Sequence, residues 1–169
     1  KRNMEFGLSA TFGTMLTLLY QNGGVLYAPD GVHTNLASDV AVQTFRQLTE
    51  LYGMYKFPLT FNAANRFRMG DMPLVVNDYG FYNYLSVFAP ELRGQWGFTL
   101  IPGTVQADGT VNRTAAAGTI GSVIISRTKQ PEAAWEFLKW WTSAEVQARF
   151  GLEMERLMGA SARYPTANV

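Results

Sequence analysis

The apolar stretches of this chain are short, and each is closed by a glycine, a proline or a polar turn before it can become a long helix. Asn22-Gly23-Gly24, Ala28-Pro29-Asp30-Gly31, Gly53, Gly70-Asp71, Pro90 and Gln106-Ala107-Asp108-Gly109-Thr110 punctuate it. Glycine admits positive φ at no steric cost and proline lacks a donor, so these positions end regular elements. No segment approaches the roughly 20 consecutive apolar residues that a bilayer-spanning helix needs. Lys1 and Arg2 ahead of the apolar stretch 12–20 resemble a signal peptide, but no Met begins the chain and no small-x-small cleavage site follows. Leu8, Phe12, Met15/Leu16 and Leu19 recur instead at the spacing of an amphipathic helix.

The punctuation divides the chain into elements. A helix is expected over 5–21, a short strand or turn at Val25-Leu26-Tyr27, and a helix over 38–52 capped by Ser38 or Asn35, with Ala41, Phe45, Leu48 and Tyr52 on one face. A short helix over 62–69 leads to a buried strand at 72–77. Further strands are expected at Trp96–Pro102, with Trp96 in the core, and at Ser122–Ser126, the latter too apolar to be half exposed. Pro131 opens the clearest helix, with Ala134, Phe137, Leu138 and Trp141 on one side and Trp135 and Trp140 beside them as packing residues. Ser143 caps a last helix that Gly151 closes near Phe150. Strands separated by helices indicate an α/β layer architecture.

Composition narrows the function. At 47% apolar residues, 169 residues build one domain or two small ones with a buried core, and disorder is excluded for most of the chain. The net charge is +1 and basic residues never gather into a run of five or six, which argues against nucleic acid or an anionic membrane surface as partner. The absence of cysteine excludes disulfides, thiolate metal sites and thiol nucleophiles, and suits an exported bacterial protein.

Catalytic patterns are weak. His33 is the sole histidine, lies in a polar loop, and has no nucleophile motif to serve, so a solvated loop histidine is the expectation. Asp30, Asp71, Asp78 and Asp108 are scattered turn and cap residues and do not open a calcium loop; no metal and no cofactor are expected. A hydrolase pairing Asp78 with Glu91 or Asp71 is an alternative that spacing alone does not test. Asn112-Arg113-Thr114 matches a glycosylation sequon, a pattern common by chance.

The informative region is aromatic: Tyr79, Phe81, Tyr82, Tyr84 and Phe88 follow the strand at 72–77 within ten residues, on a loop running into a helix that ends before Pro90. Sugar rings present apolar C–H faces that stack on flat side chains, while their hydroxyls need polar partners such as Asn77, Asp78 and Asn83. Phe81, Tyr84, Leu85 and Phe88 share one helix face and read as core, whereas Tyr79 and Tyr82 fall off that stripe at a strand-to-helix junction, where open α/β folds bind ligands.

Four stretches, in order and covering most of the chain, resemble the extracellular solute-binding proteins of ABC importers, specifically the maltose-binding protein family. They are the two helices around Asn22-Gly23-Gly24; Arg66 to Asn77, which resembles the pattern F-x-x-G-x-x-A-M-x-x-x-G; Trp96-Gly97-Phe98-Thr99-Leu100-Ile101-Pro102, similar to Y-G-V-x-x-x-P; and Gly118 through Phe150. Within the last, Ser126-Arg127-Thr128-Lys129-Gln130-Pro131-Glu132-Ala133-Ala134-Trp135-Glu136-Phe137-Leu138 follows S-x-x-S-K-x-P-E-A-A-W-x-F-L.

The resemblance implies a fragment of a two-lobed periplasmic-binding fold that closes on a solute by hinge bending and docks on a membrane ABC permease. In that scheme residues 1–114 are a second-lobe α/β segment, 115–126 a hinge-crossing strand, and 127–169 helices of the first lobe. The parent is extracellular or periplasmic and anchored as a lipoprotein, its solute a carbohydrate, its action not enzymatic. The stacking aromatic falls within Tyr79 to Tyr82, so Tyr79, Phe81 and Tyr82 are the implied stacking residues, Asn77 and Asp78 the hydroxyl partners, and Thr119 a hinge-side contact beside Gly118 and Ile120. Asn77-Asp78-Tyr79-Gly80 stands where many members have N-G-x-W, which leaves the stacking residue and ligand class open. A hydrolase or a sensory ligand-binding module on the same fold are the alternatives.

Overall fold

The computed structural model describes residues 5–118 and 120–163. These group into two compact units, residues 5–77 with 94–118 and residues 78–93 with 120–163. The chain thus changes unit at 77/78, at 93/94 and after 118.

In the first unit β1 (Phe6–Gly7) pairs in parallel with β2 (Leu74–Val75), in register Phe6 to Leu74 and Gly7 to Val75. Parallel strands need a long crossover, and here three helices supply it: α1 (Phe12–Gln21), α2 (Asp39–Gly53) and α3 (Ala63–Met69). Their ends are set locally. The Thr11, Ser38 and Asn62 side chains accept from the backbone N–H of Thr14, Ala41 and Asn65, satisfying donors that the first turn leaves open. Gly70 closes α3 in the left-handed region at φ 76°. The expected first helix therefore begins at Phe12, with Thr11 as its cap; Leu8 stays outside it, and its carbonyl accepts from Tyr52 Oη at 2.9 Å.

Helices α1 and α2 pack on each other around Met15, Leu19, Ala41, Thr44 and Leu48, with Met72 fully buried beneath β1. Thr44 occupies the buried stripe where Phe45 was expected, and Phe45 is exposed. At the end of α1, Asn22 Nδ2 donates to Thr44 Oγ1 and Gln47 Oε1, tying the turn to α2. A hairpin of β3 (Thr104–Val105) and β4 (Val111–Asn112) completes the unit; Asp108 accepts from Thr110 N–H and Oγ1, and Gly109 takes φ 83°.

The second unit contains α4 (Tyr79–Phe88), α5 (Pro131–Trp141) and α6 (Ala144–Met158), with short 3-10 turns at Pro90–Leu92 and Ala160–Ala162. Pro131 begins α5 and Ser143 caps α6 as expected, but α6 runs through Gly151 to Met158. A glycine stops a helix by taking positive φ; Gly151 does not, and Gly159, at φ 84°, does.

The architecture is mixed helix and sheet, with its sheets reduced to two pairs among the described residues. Residues 96–102 and 122–126, expected as strands, are irregular, and Phe98, Leu100, Val123 and Ile125 are exposed. Strand propensity is realised through pairing and packing against neighbours, and none pairs with these segments among the described residues. Trp96 is half-buried rather than core, and Trp135, Phe137 and Trp140 are exposed. No helix among the described residues is long and apolar enough to cross a membrane.

Candidate functional site

Helix α4 begins where sequence placed the aromatic junction. Asp78 is its N-cap residue in extended conformation, and Tyr79, Gly80 and Phe81 form its first turn. The Asp78 carboxylate folds over that turn: Oδ1 lies 3.0 Å from where a Cβ on Gly80 would stand, so a side chain at position 80 would press on it. Asn77 is the last residue of the first unit, directly before the cap.

Side chains three apart on a helix lie side by side, and this spacing brings Tyr79 and Tyr82 together. Their rings stack with centroids 5.4 Å apart and planes 15° from parallel. Both are exposed, at 57% and 37%. Each turns one ring face to the other, and the two rings together form a partly exposed aromatic platform. Phe81 instead stacks on Tyr84 at 6.4 Å, and Tyr84 touches Phe88 at 5.0 Å, forming a second aromatic row.

The buried side of α4 differs from the expected stripe. Leu85 is buried as foreseen, but Asn83 and Ala89 join it, Phe81 is half-buried, and Tyr84 and Phe88 are exposed. Asn83, considered above as a hydroxyl partner, is a structural tie: its Nδ2 donates to the backbone carbonyl of Arg163 at 3.3 Å. That bond fastens the turn after α6 against α4 and brings in two residues that sequence reasoning missed. Arg163 Nη2 donates to Glu155 Oε1 at 2.5 Å. The Glu155 carboxyl is held below its ordinary value by the Arg163 hydrogen bond; the guanidinium is pushed above its own by Glu155, and the Tyr79 and Tyr82 phenols lie close enough to add to this. A charge eight positions after a carboxylate, across a helix end, carries no periodic signal that sequence reading could have used.

Tyr79, Tyr82 and Asp78 are therefore assembled within one unit, together with Asn83, Glu155 and Arg163. Thr119 lies outside the described residues. His33 stands apart in the first unit, in an exposed turn bridged by Tyr27 and Thr34, with its Nδ1 2.6 Å from Asp30 Oδ2.

Residues 2–156 match the model of the bacterial extracellular solute-binding protein family, and the chain belongs to that family. Its members bind small solutes outside the cytoplasm, work with ABC transporter permeases and are generally not enzymes. The match spans Asn77 to Tyr82 and Glu155. Comparison with curated proteins and with solved structures returned no match.

Proposed function

We propose that this protein delivers a carbohydrate to an ABC importer, in the manner of the maltose-binding proteins, and that the sugar stacks on the Tyr79–Tyr82 platform. The observation that carries the reading is the pair itself: two parallel, exposed tyrosines at a helix start, in a chain of the solute-binding family. A surface so apolar and flat, on a helix capped by the polar Asp78, suits a ligand with an apolar face and hydroxyls at its rim. In this reading Asp78 and Asn77 bond hydroxyls, Phe81 is a further stacking residue, and Thr119 supplies a contact near the crossing at 118. Ligand contacts on both lobes would favour a closed state, and closure would be what the permease recognises. Residues 115–126 would be a hinge crossing between the lobes, and a lipid anchor would hold the parent protein at the membrane.

The test is titration calorimetry of the purified protein against neutral oligosaccharides, peptides and other small solutes, with product analysis of each hit. Tyr79→Ala and Tyr82→Ala are each expected to weaken saccharide binding by about 1 to 2 kcal/mol, a five- to thirtyfold loss, whereas Tyr→Phe at either position should lose little, because the face is kept. Unchanged affinity in both alanine variants would refute the platform. A saccharide returned as cleaved product would move the assignment to a hydrolase.

A further inference from the structure

The turn that follows α6 stands against the platform helix, and it carries an ion pair. Arg163 is anchored twice: its backbone carbonyl accepts from the buried Asn83 of α4, and its Nη2 reaches Glu155 on α6. Asn83 is the next residue after Tyr82 and one helical turn beyond Tyr79, so the anchor holds the Arg163 backbone against the platform helix, with the guanidinium near enough to both phenols to interact with them. The pair is open to solvent, with the Arg163 side chain 54% and the Glu155 side chain 32% exposed. A guanidinium carries five N–H donors and a carboxylate about four acceptor sites. Among the described residues the Arg163 side chain has Glu155 as its hydrogen-bond partner, through Nη2, which leaves donors on Nε and Nη1 next to carboxylate lone pairs.

Donors and acceptors side by side match a vicinal diol, in which each hydroxyl both gives and takes a hydrogen bond. The two charges cancel locally, so a ligand carboxylate that approached Arg163 would also meet Glu155. We infer that Arg163 and Glu155 complete the sugar site and that their pairing selects uncharged saccharides over uronates. This rests on the carbohydrate reading of the Tyr79–Tyr82 platform. Arg163 is the hydroxyl donor, and Glu155 is the specificity-determining residue that accepts from the ligand and keeps the guanidinium from attracting anions.

The experiment measures the Kd of the purified protein for neutral hexo-oligosaccharides and for the corresponding oligouronides of equal length, at fixed moderate salt. The unaltered protein should favour the neutral member. Glu155→Gln frees the cation while keeping side-chain shape, and should shift the neutral-to-uronide affinity ratio toward the uronide by about tenfold, the scale of one charge-assisted hydrogen bond. Glu155→Asp keeps the charge and should keep the preference. Arg163→Gln should weaken neutral binding five- to tenfold, and thermal melting of each variant reports its folding. An unchanged ratio in Glu155→Gln, with neutral binding still dependent on Tyr79 and Tyr82, overturns the selection while leaving the carbohydrate reading intact. A preference of the unaltered protein for the uronide also overturns it. Absence of binding to either class removes the carbohydrate reading and this inference with it.

Discussion

Gln21 closes α1 with its side chain almost fully buried, at 2% exposure, and joins three separate parts of the first unit. Its Nε2 donates to the carbonyls of Pro102 at 3.0 Å and Thr114 at 3.2 Å, and its Oε1 accepts from Thr104 Oγ1 at 3.1 Å. Its own carbonyl accepts from Gln106 Nε2 and Asn112 Nδ2. The side chain thus holds the β3–β4 hairpin and the segment leaving it, where Ala116 N–H also reaches Thr17 Oγ1. Gln21→Leu keeps most of the volume and removes all three side-chain bonds. At a net of about 1 kcal/mol per bond, with part of the desolvation cost of the stranded partners relieved because Pro102 and Thr114 are themselves exposed and can turn to water, the loss is about 3 kcal/mol. For a unit of this size that is roughly 12 to 24 °C in melting temperature. Thr104→Val removes one bond and should cost about 1 kcal/mol. Gln21→Glu retains the acceptor for Thr104 but turns an oxygen toward two carbonyl oxygens, so it should be at least as harmful as leucine near neutral pH. The assay is urea unfolding followed through Trp96, the one tryptophan of this unit, with hydrogen exchange at Ala116 reporting the local tie. A Gln21→Leu variant within about 0.5 kcal/mol of the parent, or a Gln21→Glu variant more stable than Gln21→Leu, would refute the reasoning.

Two further outcomes are expected in the first unit. A Cβ on Gly103 would stand 2.5 Å from the carbonyl oxygen of Asn112, which the hairpin holds, so Gly103→Ala should destabilise by about 1 to 3 kcal/mol in urea titration; a neutral result would mean that the β3–β4 pairing is loose. Arg66 Nη1 donates to Glu5 Oε2 at 2.7 Å, and this hydrogen bond draws the Glu5 carboxyl below its ordinary 4.5. A depressed folded-state value means that the contribution is fully present above about 4.5 and is lost as pH falls through the folded value. Melting temperatures from pH 7 to pH 3 should therefore fall more for the parent than for Arg66→Gln, with the difference confined to the acid limb; parallel curves would show that the pair adds nothing.

Much of the helical framework was legible because its signals are local. Ser38, Ser143, Pro131 and the Asn62-to-Gly70 segment mark their helices through bonds and dihedral limits that act within one turn, and each stands where the sequence placed it. The strands at 96–102 and 122–126 were read from apolar runs, but a run becomes a strand only against a partner, and the described residues offer none. Gly151 misled for a related reason: a glycine permits positive φ without requiring it. Within the candidate site, the i, i+3 relation of Tyr79 and Tyr82 was in the sequence, since helical geometry alone makes them neighbours.

Sequence by itself determined the family, the order of helices and the aromatic start of α4, because these rest on residue identity and on contacts spanning a few positions. Tertiary structure decided that Tyr84 and Phe88 stay exposed, that Asn83 turns inward as a tie, and that Arg163, paired with Glu155, is fastened to the platform helix. Those outcomes depend on which surfaces meet when separate segments pack. Burial and charge pairing belong to that meeting, since a side chain's solvation is set by neighbours distant in the chain.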